Sequence, residues 1–246
     1  MSSINTFTAF APQRSGTNFL QQLITQNFEK IRCFNTDKQY LWKHEPNSHL
    51  ILQKYRGTNI QNHLHLVVTK NPYKWIESII RKPVDIKVRR PEVLNVNVDS
   101  KYIIDLDTTH QKNRTWKISA INLVELVKLY NEFYNNWLDL KTQLKYWGIC
   151  KYENLLIEQD CYHFLYMLQN TYKLSKTYPN WIIPSNVSMT GHWDSNTKTA
   201  KTQDYLDFNR CKTLTQQQID IVDQIIDKAL LERLGYPLQK PSSLNA

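Results

Sequence analysis

Apolar positions recur along this chain in two rhythms that alternate. Over residues 4–11 they run or alternate with Thr and Phe, the habit of a strand. From Thr17 onward, Phe19, Leu20, Leu23, Ile24 and Phe28 return at helical spacing. A second unit follows the same order. The β-branched run 65–69 predicts a strand that ends at Lys70-Asn71-Pro72. There Asn71 can cap, and Pro72 can fill the first turn, of a helix over 73–81. The stretch 118–140 predicts one amphipathic helix with Leu123, Val127, Tyr130, Tyr134 and Trp137 on its core face. A short strand over 148–152 and a helix over 160–170 come next. Thr215 and Gln218 then form a capping box for a last helix ending at Leu234, with Gly235 as its stop. Strands alternating with helices in this way predict an α/β fold, a central parallel sheet with helices on both faces. Two polar stretches, about 82–117 and 177–210, break the rhythm and are long enough to be flaps over a site. No linker rich in Gly, Ser or Pro divides the chain, so residues 1–246 are expected to form a single domain.

Composition narrows the classes. With 41% hydrophobic and 22% charged residues the chain can bury a sizeable core, which excludes a disordered tail, a fibrous repeat and a disulfide-stapled miniprotein. A net charge of +9 favours anionic partners such as phosphate, sulfate, acidic glycan or nucleic acid. No apolar run reaches the roughly 18 residues a membrane span needs, and no leader pattern is evident at the start. Cys33, Cys150, Cys161 and Cys211 are widely spaced with no C-x-x-C pair, as expected of reduced thiols in a cytoplasmic protein.

The candidate chemistry begins at Gln13-Arg14-Ser15-Gly16-Thr17-Asn18, between the first strand and the first helix. The N–H groups at a helix start lack partners within the helix, and a glycine lets an anion come close to them. Arg14 adds a fixed positive charge, and Ser15 and Thr17 add hydroxyl donors. The segment is not a Walker A loop, because no glycine precedes Gly16 and no lysine follows it.

Taken with Lys70-Asn71-Pro72 and with Ser78 eight positions after Lys70, the chain resembles the sulfotransferases that use 3′-phosphoadenosine 5′-phosphosulfate. Arg14, Ser15, Gly16, Thr17 and Asn18 match that family's loop for the 5′-phosphosulfate. Lys70 and Ser78 match its 3′-phosphate motif, with lysine where the family usually has arginine. Lysine keeps the charge and loses the bidentate fork. Lys151-Tyr152-Glu153-Asn154-Leu155 and Leu234-Gly235-Tyr236 also look like family segments. The resemblance runs in order from about Thr6 to Tyr236. It implies a P-loop-like α/β sulfotransferase fold and a metal-free transfer of a sulfuryl group to a hydroxyl or amine acceptor.

Under that resemblance Arg14 would offset charge on the leaving oxygen in the transition state. A general base would come from Trp42-Lys43-His44-Glu45-Pro46, which is similar to the family's K-x-H segment although Lys43 and His44 are adjacent here. His44 and Glu45 are both candidates, since carbohydrate sulfotransferases often use a glutamate. On an extended segment only one of the two can face the acceptor, and Lys43 would share the face of Glu45. Gly191-His192-Trp193 with Lys198 and Lys201 resembles the family's late cofactor loop, which would make these two lysines cofactor contacts. His63 and His65 would share a strand face, but no third ligand accompanies them, so no metal site is expected. A basic flap over 82–117 points to a glycan or other anionic acceptor. Two alternatives stay open. One is a basic nucleic-acid-binding domain, built on Arg81, Lys82, Lys87, Arg89 and Arg90. The other is a nucleotide kinase, which the missing Walker lysine disfavours.

Overall fold

Four strands pair side by side into a parallel sheet of order β2-β1-β3-β6, where β1 is Thr6–Phe10, β2 Arg32–Cys33, β3 His63–Thr69 and β6 Trp147–Lys151. The structure is a computed structural model and describes residues 4–34, 43–44, 62–81, 104–105, 117–118, 123–184 and 214–238. Helices α1 (Thr17–Asn27), α2 (Pro72–Arg81), α3 (Leu123–Asp139), α4 (Tyr152–Leu156), α5 (Glu158–Tyr172), α6 (Gln216–Ile225) and α7 (Lys228–Leu234) accompany it. A short antiparallel pair joins β4 (Ile104–Asp105) to β5 (Lys117–Ile118). The chain divides into two compact units: residues 1–70 with 133–207, and residues 71–132 with 208–246.

In the first unit the register Phe7↔Leu64, Ala9↔Leu66 puts one apolar set on one face of the sheet. That set packs with Leu20, Leu23 and Ile24 of α1 and with Phe164, Leu165 and Leu168 of α5 in one core. The opposite face carries Thr6, Thr8, Phe10, His63 and His65. Trp137 of α3 stacks on Phe10 there, with ring centroids 4.0 Å apart, and the Tyr134 hydroxyl donates to the Val68 carbonyl at 2.9 Å. The expected parallel sheet with helices on both faces is therefore present.

In the second unit Asn71 caps α2, its Oδ1 accepting from the N–H groups of Tyr73 and Lys74 at 3.1 and 3.2 Å. Trp75 packs on Tyr130 of α3, and the Tyr73 hydroxyl donates to Asp223. Two boundaries differ from the sequence expectation. Residue 118 belongs to β5, where it pairs with Ile104, and the helix begins at Leu123. The final helix is two helices, because Asp227 starts a new one by accepting from the Leu230 N–H at 3.0 Å. Asn131 bridges the break: its Nδ2 donates to the Ile225 carbonyl at 3.0 Å and its Oδ1 accepts from the Asp227 N–H at 3.1 Å. The capping box at Thr215 and the stop at Gly235, whose φ is +69°, are as expected. Among the described residues no helix is long and apolar enough to cross a membrane. Of the four cysteines, Cys33, Cys150 and Cys161 are unbridged, and Cys211 lies outside the described residues.

Candidate functional site

The loop from Ala11 to Gly16 leaves the end of β1 and delivers the chain to α1. Two of its residues are left-handed, Gly16 at φ +87° and Arg14 at φ +68°. A glycine adopts that conformation at no steric cost, whereas an arginine there is strained by roughly 1–2 kcal/mol. At Gly16 there is a second demand. A Cβ would lie 2.1 Å from the ring of Tyr152, so the ring of the first residue of α4 rests directly on the glycine.

Helix α1 begins with no side-chain cap and no acidic residue in its first turn. By contrast α2, α6 and α7 are capped by Asn71, Thr215 and Asp227, and α4 and α5 carry Glu153 and Glu158 in their first turns. Among the described residues, then, no side-chain cap and no first-turn carboxylate offsets the positive end of the α1 dipole. The Ser15 Oγ above it is buried and has no hydrogen-bond partner within normal distance, although the Tyr134 phenol lies near enough to interact with it. Thr17 is also buried. This donor set, with Arg14 beside it, suits a phosphate or sulfate group.

Three further predicted residues meet this loop. Lys70 follows β3 and is buried, and its Nζ donates to the Arg14 carbonyl at 3.0 Å. The same ammonium lies 5.3 Å from the centroid of the Tyr152 ring. Lys43 and His44 form a turn next to the end of β1. The Ala11 N–H donates to the Lys43 carbonyl at 3.0 Å, the Lys43 ammonium donates to Asn18 Oδ1, and His44 Nδ1 lies 2.6 Å from the Ala11 carbonyl. In an extended segment the two neighbours would project to opposite sides. At this turn both reach the loop.

A carbonyl partner makes Nδ1 the protonated nitrogen of His44 and leaves Nε2 as the basic one. Burial, and after it the charge of Lys43, lower the His44 pKa to about 3, against the bond to Ala11, which raises it. The imidazole is therefore neutral near neutral pH, as a general base must be.

Ser78 belongs to the second unit. It is buried on α2 and donates its hydroxyl to the Lys74 carbonyl one turn earlier at 2.7 Å. Lys74 in turn pairs with Glu77 at 3.6 Å. Glu45, Lys198 and Lys201 lie outside the described residues, as do most of the two polar stretches 82–117 and 177–210. The sequence offered Tyr152 only as part of a family-like segment with no role at the site, and Tyr134 as part of a helix's core face. The structure puts both against the loop. The signal for a close neighbour was Gly16 itself, but nothing local says which ring it is. Among the described residues no three His, Cys, Asp or Glu side chains group as metal ligands; His63 and His65 are buried, His65 stacked beside Phe10 and His63 edge-on to Phe34. Compared with protein-family models, with curated proteins and with solved structures, the chain has no match in any of the three.

Proposed function

We propose that the chain is a sulfotransferase of the P-loop-like α/β class, which takes 3′-phosphoadenosine 5′-phosphosulfate as donor and a hydroxyl-bearing acceptor. The observation that carries this reading is the uncapped, acid-free start of α1 under a loop with Arg14, buried Ser15 and Gly16, with a neutral histidine and a lysine beside it. The residues fit the donor's 5′ end by charge and by hydrogen-bonding capacity: N–H groups, two hydroxyls and one guanidinium, with no carboxylate in the helix's first turn. When bound, the donor supplies a sulfuryl group whose bond to the bridging phosphate oxygen breaks as the acceptor oxygen joins sulfur.

The chain's own work is then electrostatic and positional, as in phosphoryl transfer. The α1 N–H groups, Ser15 and Thr17 hold the 5′-phosphate. Arg14 offsets the charge that builds on the leaving oxygen, an interaction stronger in the transition state than before it. His44 Nε2 takes the acceptor's proton while Nδ1, held by Ala11, keeps the ring in the needed tautomer. The anionic donor would counter Lys43's pull on the His44 pKa and so raise its basicity within the complex. Ser78 is the residue that the resemblance gives to the 3′-phosphate, and on α2 its hydroxyl donates to the Lys74 carbonyl. The basic composition favours a glycan or another anionic acceptor.

Calorimetric titration with adenosine 3′,5′-bisphosphate tests this, with adenosine 5′-monophosphate and ATP as controls and no metal present. Micromolar binding that requires the 3′-phosphate is expected. Equal affinity for all three nucleotides, or no binding by folded protein, would overturn the donor assignment.

A further inference from the structure

The resemblance that names the donor would use Lys70 at the nucleotide's 3′-phosphate, yet the Lys70 ammonium is bonded to the anion loop itself. It donates to the Arg14 carbonyl at 3.0 Å and lies over the Tyr152 ring, which itself rests on Gly16. The two left-handed residues of the loop are thus held from one side by a single pair. Tyr152 occupies the space a Cβ would take at Gly16, and Lys70 draws in the carbonyl of the strained Arg14. A left-handed peptide turned in this way directs the following N–H groups to a common centre, the arrangement that binds anions. Lysine suits the task, because a single-point donor on a flexible stem can reach one carbonyl.

We propose that Lys70 is the positioning residue of the anion loop. Through the Arg14 carbonyl it keeps the loop in its anion-receiving form, and so it serves the 5′-phosphoryl end of the nucleotide instead of the 3′-phosphate. This role rests on the donor reading for the identity of the nucleotide, but not for the loop's taste for anions.

The test compares wild type with Lys70→Met, which keeps the stem and removes the donor. Affinities for adenosine 5′-monophosphate and adenosine 3′,5′-bisphosphate are measured well below the thermal midpoint of each protein. A residue that matters only for stability would leave these affinities unmoved. The expected result is an equal loss for both nucleotides, about tenfold or more, with the ratio between them unchanged. A loss confined to the bisphosphate would overturn the proposal and return Lys70 to the 3′-phosphate. Should Lys70→Met fail to fold, the wild-type Lys70 Nζ resonance supplies the answer. It shifts on adding adenosine 5′-monophosphate if the proposal holds, and a resonance that stays in place overturns it. If wild type shows no preference for the bisphosphate, the donor reading falls while an equal loss in Lys70→Met still upholds the role of Lys70. If wild type binds neither nucleotide, inorganic pyrophosphate is the probe. Binding that Lys70→Met loses upholds the role, and no binding by wild type overturns both.

Discussion

Lowering the pH from about 8 to about 5 loads protons onto the histidines of the unfolded chain that His63 and His65 refuse in the folded sheet. Both rings are buried on β3, His65 stacked beside Phe10 and His63 edge-on to Phe34. His63 Nδ1 lies 2.9 Å from Thr6 Oγ1, and the two rings meet edge to face with centroids 4.6 Å apart. Burial, and after it the neighbouring His65, lower the His63 pKa from 6.5 to about 2. Burial lowers His65 to about 4, against bonds to the Tyr146 and His63 backbone that raise it. Both folded values lie below the unfolded one, so between them the unfolded chain binds more protons. The stability these residues contribute is complete above about pH 6.5 and is lost progressively as pH falls from there toward the folded values of about 4 and about 2. Each histidine then costs about 2 kcal/mol at about pH 5, a large share of the 5–15 kcal/mol typical of a whole domain. Urea unfolding at a series of pH values reads this directly. Stability is expected to fall by roughly 1.4 kcal/mol per pH unit for each histidine on the acid side of its unfolded pKa. His63→Gln and His65→Gln should each flatten the slope by about one proton. A wild-type stability that is level between about pH 7 and about pH 5 would refute the reasoning.

Three more perturbations follow from the site and its frame. Gly16→Ala forces a side chain into a left-handed residue and against Tyr152, at a cost of about 3 kcal/mol in urea unfolding. Tyr152→Ala in the same chain should return the part due to the ring, and purely additive effects would show that the ring is not what Gly16 accommodates. Asn131→Ala removes both hydrogen bonds across the break between α6 and α7, so unfolding free energy should drop by about 2 kcal/mol, and an unchanged denaturation midpoint would deny the bridge its role. Arg14→Ala should leave the thermal midpoint nearly unchanged while abolishing the proposed sulfuryl transfer, and near-normal turnover would remove Arg14 from that proposed chemistry.

What the amino-acid pattern could reveal depended on how local each decision was. The β1–α1 unit was legible because the alternation of residues 4–11, the glycine and the Phe19–Phe28 spacing all point the same way within a few turns of chain. Asn71, Thr215 and Gly235 were legible for the same reason, since a cap is decided by residues three or four positions away. The break at Asp227 was not, because the side chain that makes it tolerable is Asn131, remote in sequence. Ile118 looked helical by its spacing, and pairing with distant Ile104 decided otherwise. At the site, the residue types near the loop could be named, but the target of Lys70 could not, because a flexible stem leaves its endpoint to tertiary structure. The turn at Lys43-His44 was likewise beyond reach, as adjacent residues diverge only where the chain is extended.

The pairing of the sheet bears on how freely the chain can change between its strands. Thr6 pairs with His63 and His65 with Trp147, partners 57 and 82 positions apart, so the β1–β3 and β3–β6 ladders close only when distant segments meet. Such topology makes folding slow, but the entropy of closing a loop grows only with the logarithm of its length. Doubling the stretch between β3 and β6 would add about 0.6 kcal/mol to that closure. Residues 82–117 lie inside this stretch. Insertions there can lengthen, shorten or be exchanged while the strands that carry the loop, Lys70 and Tyr152 keep their register. Descendants of this sequence can therefore vary that stretch without reopening the question of how the protein folds.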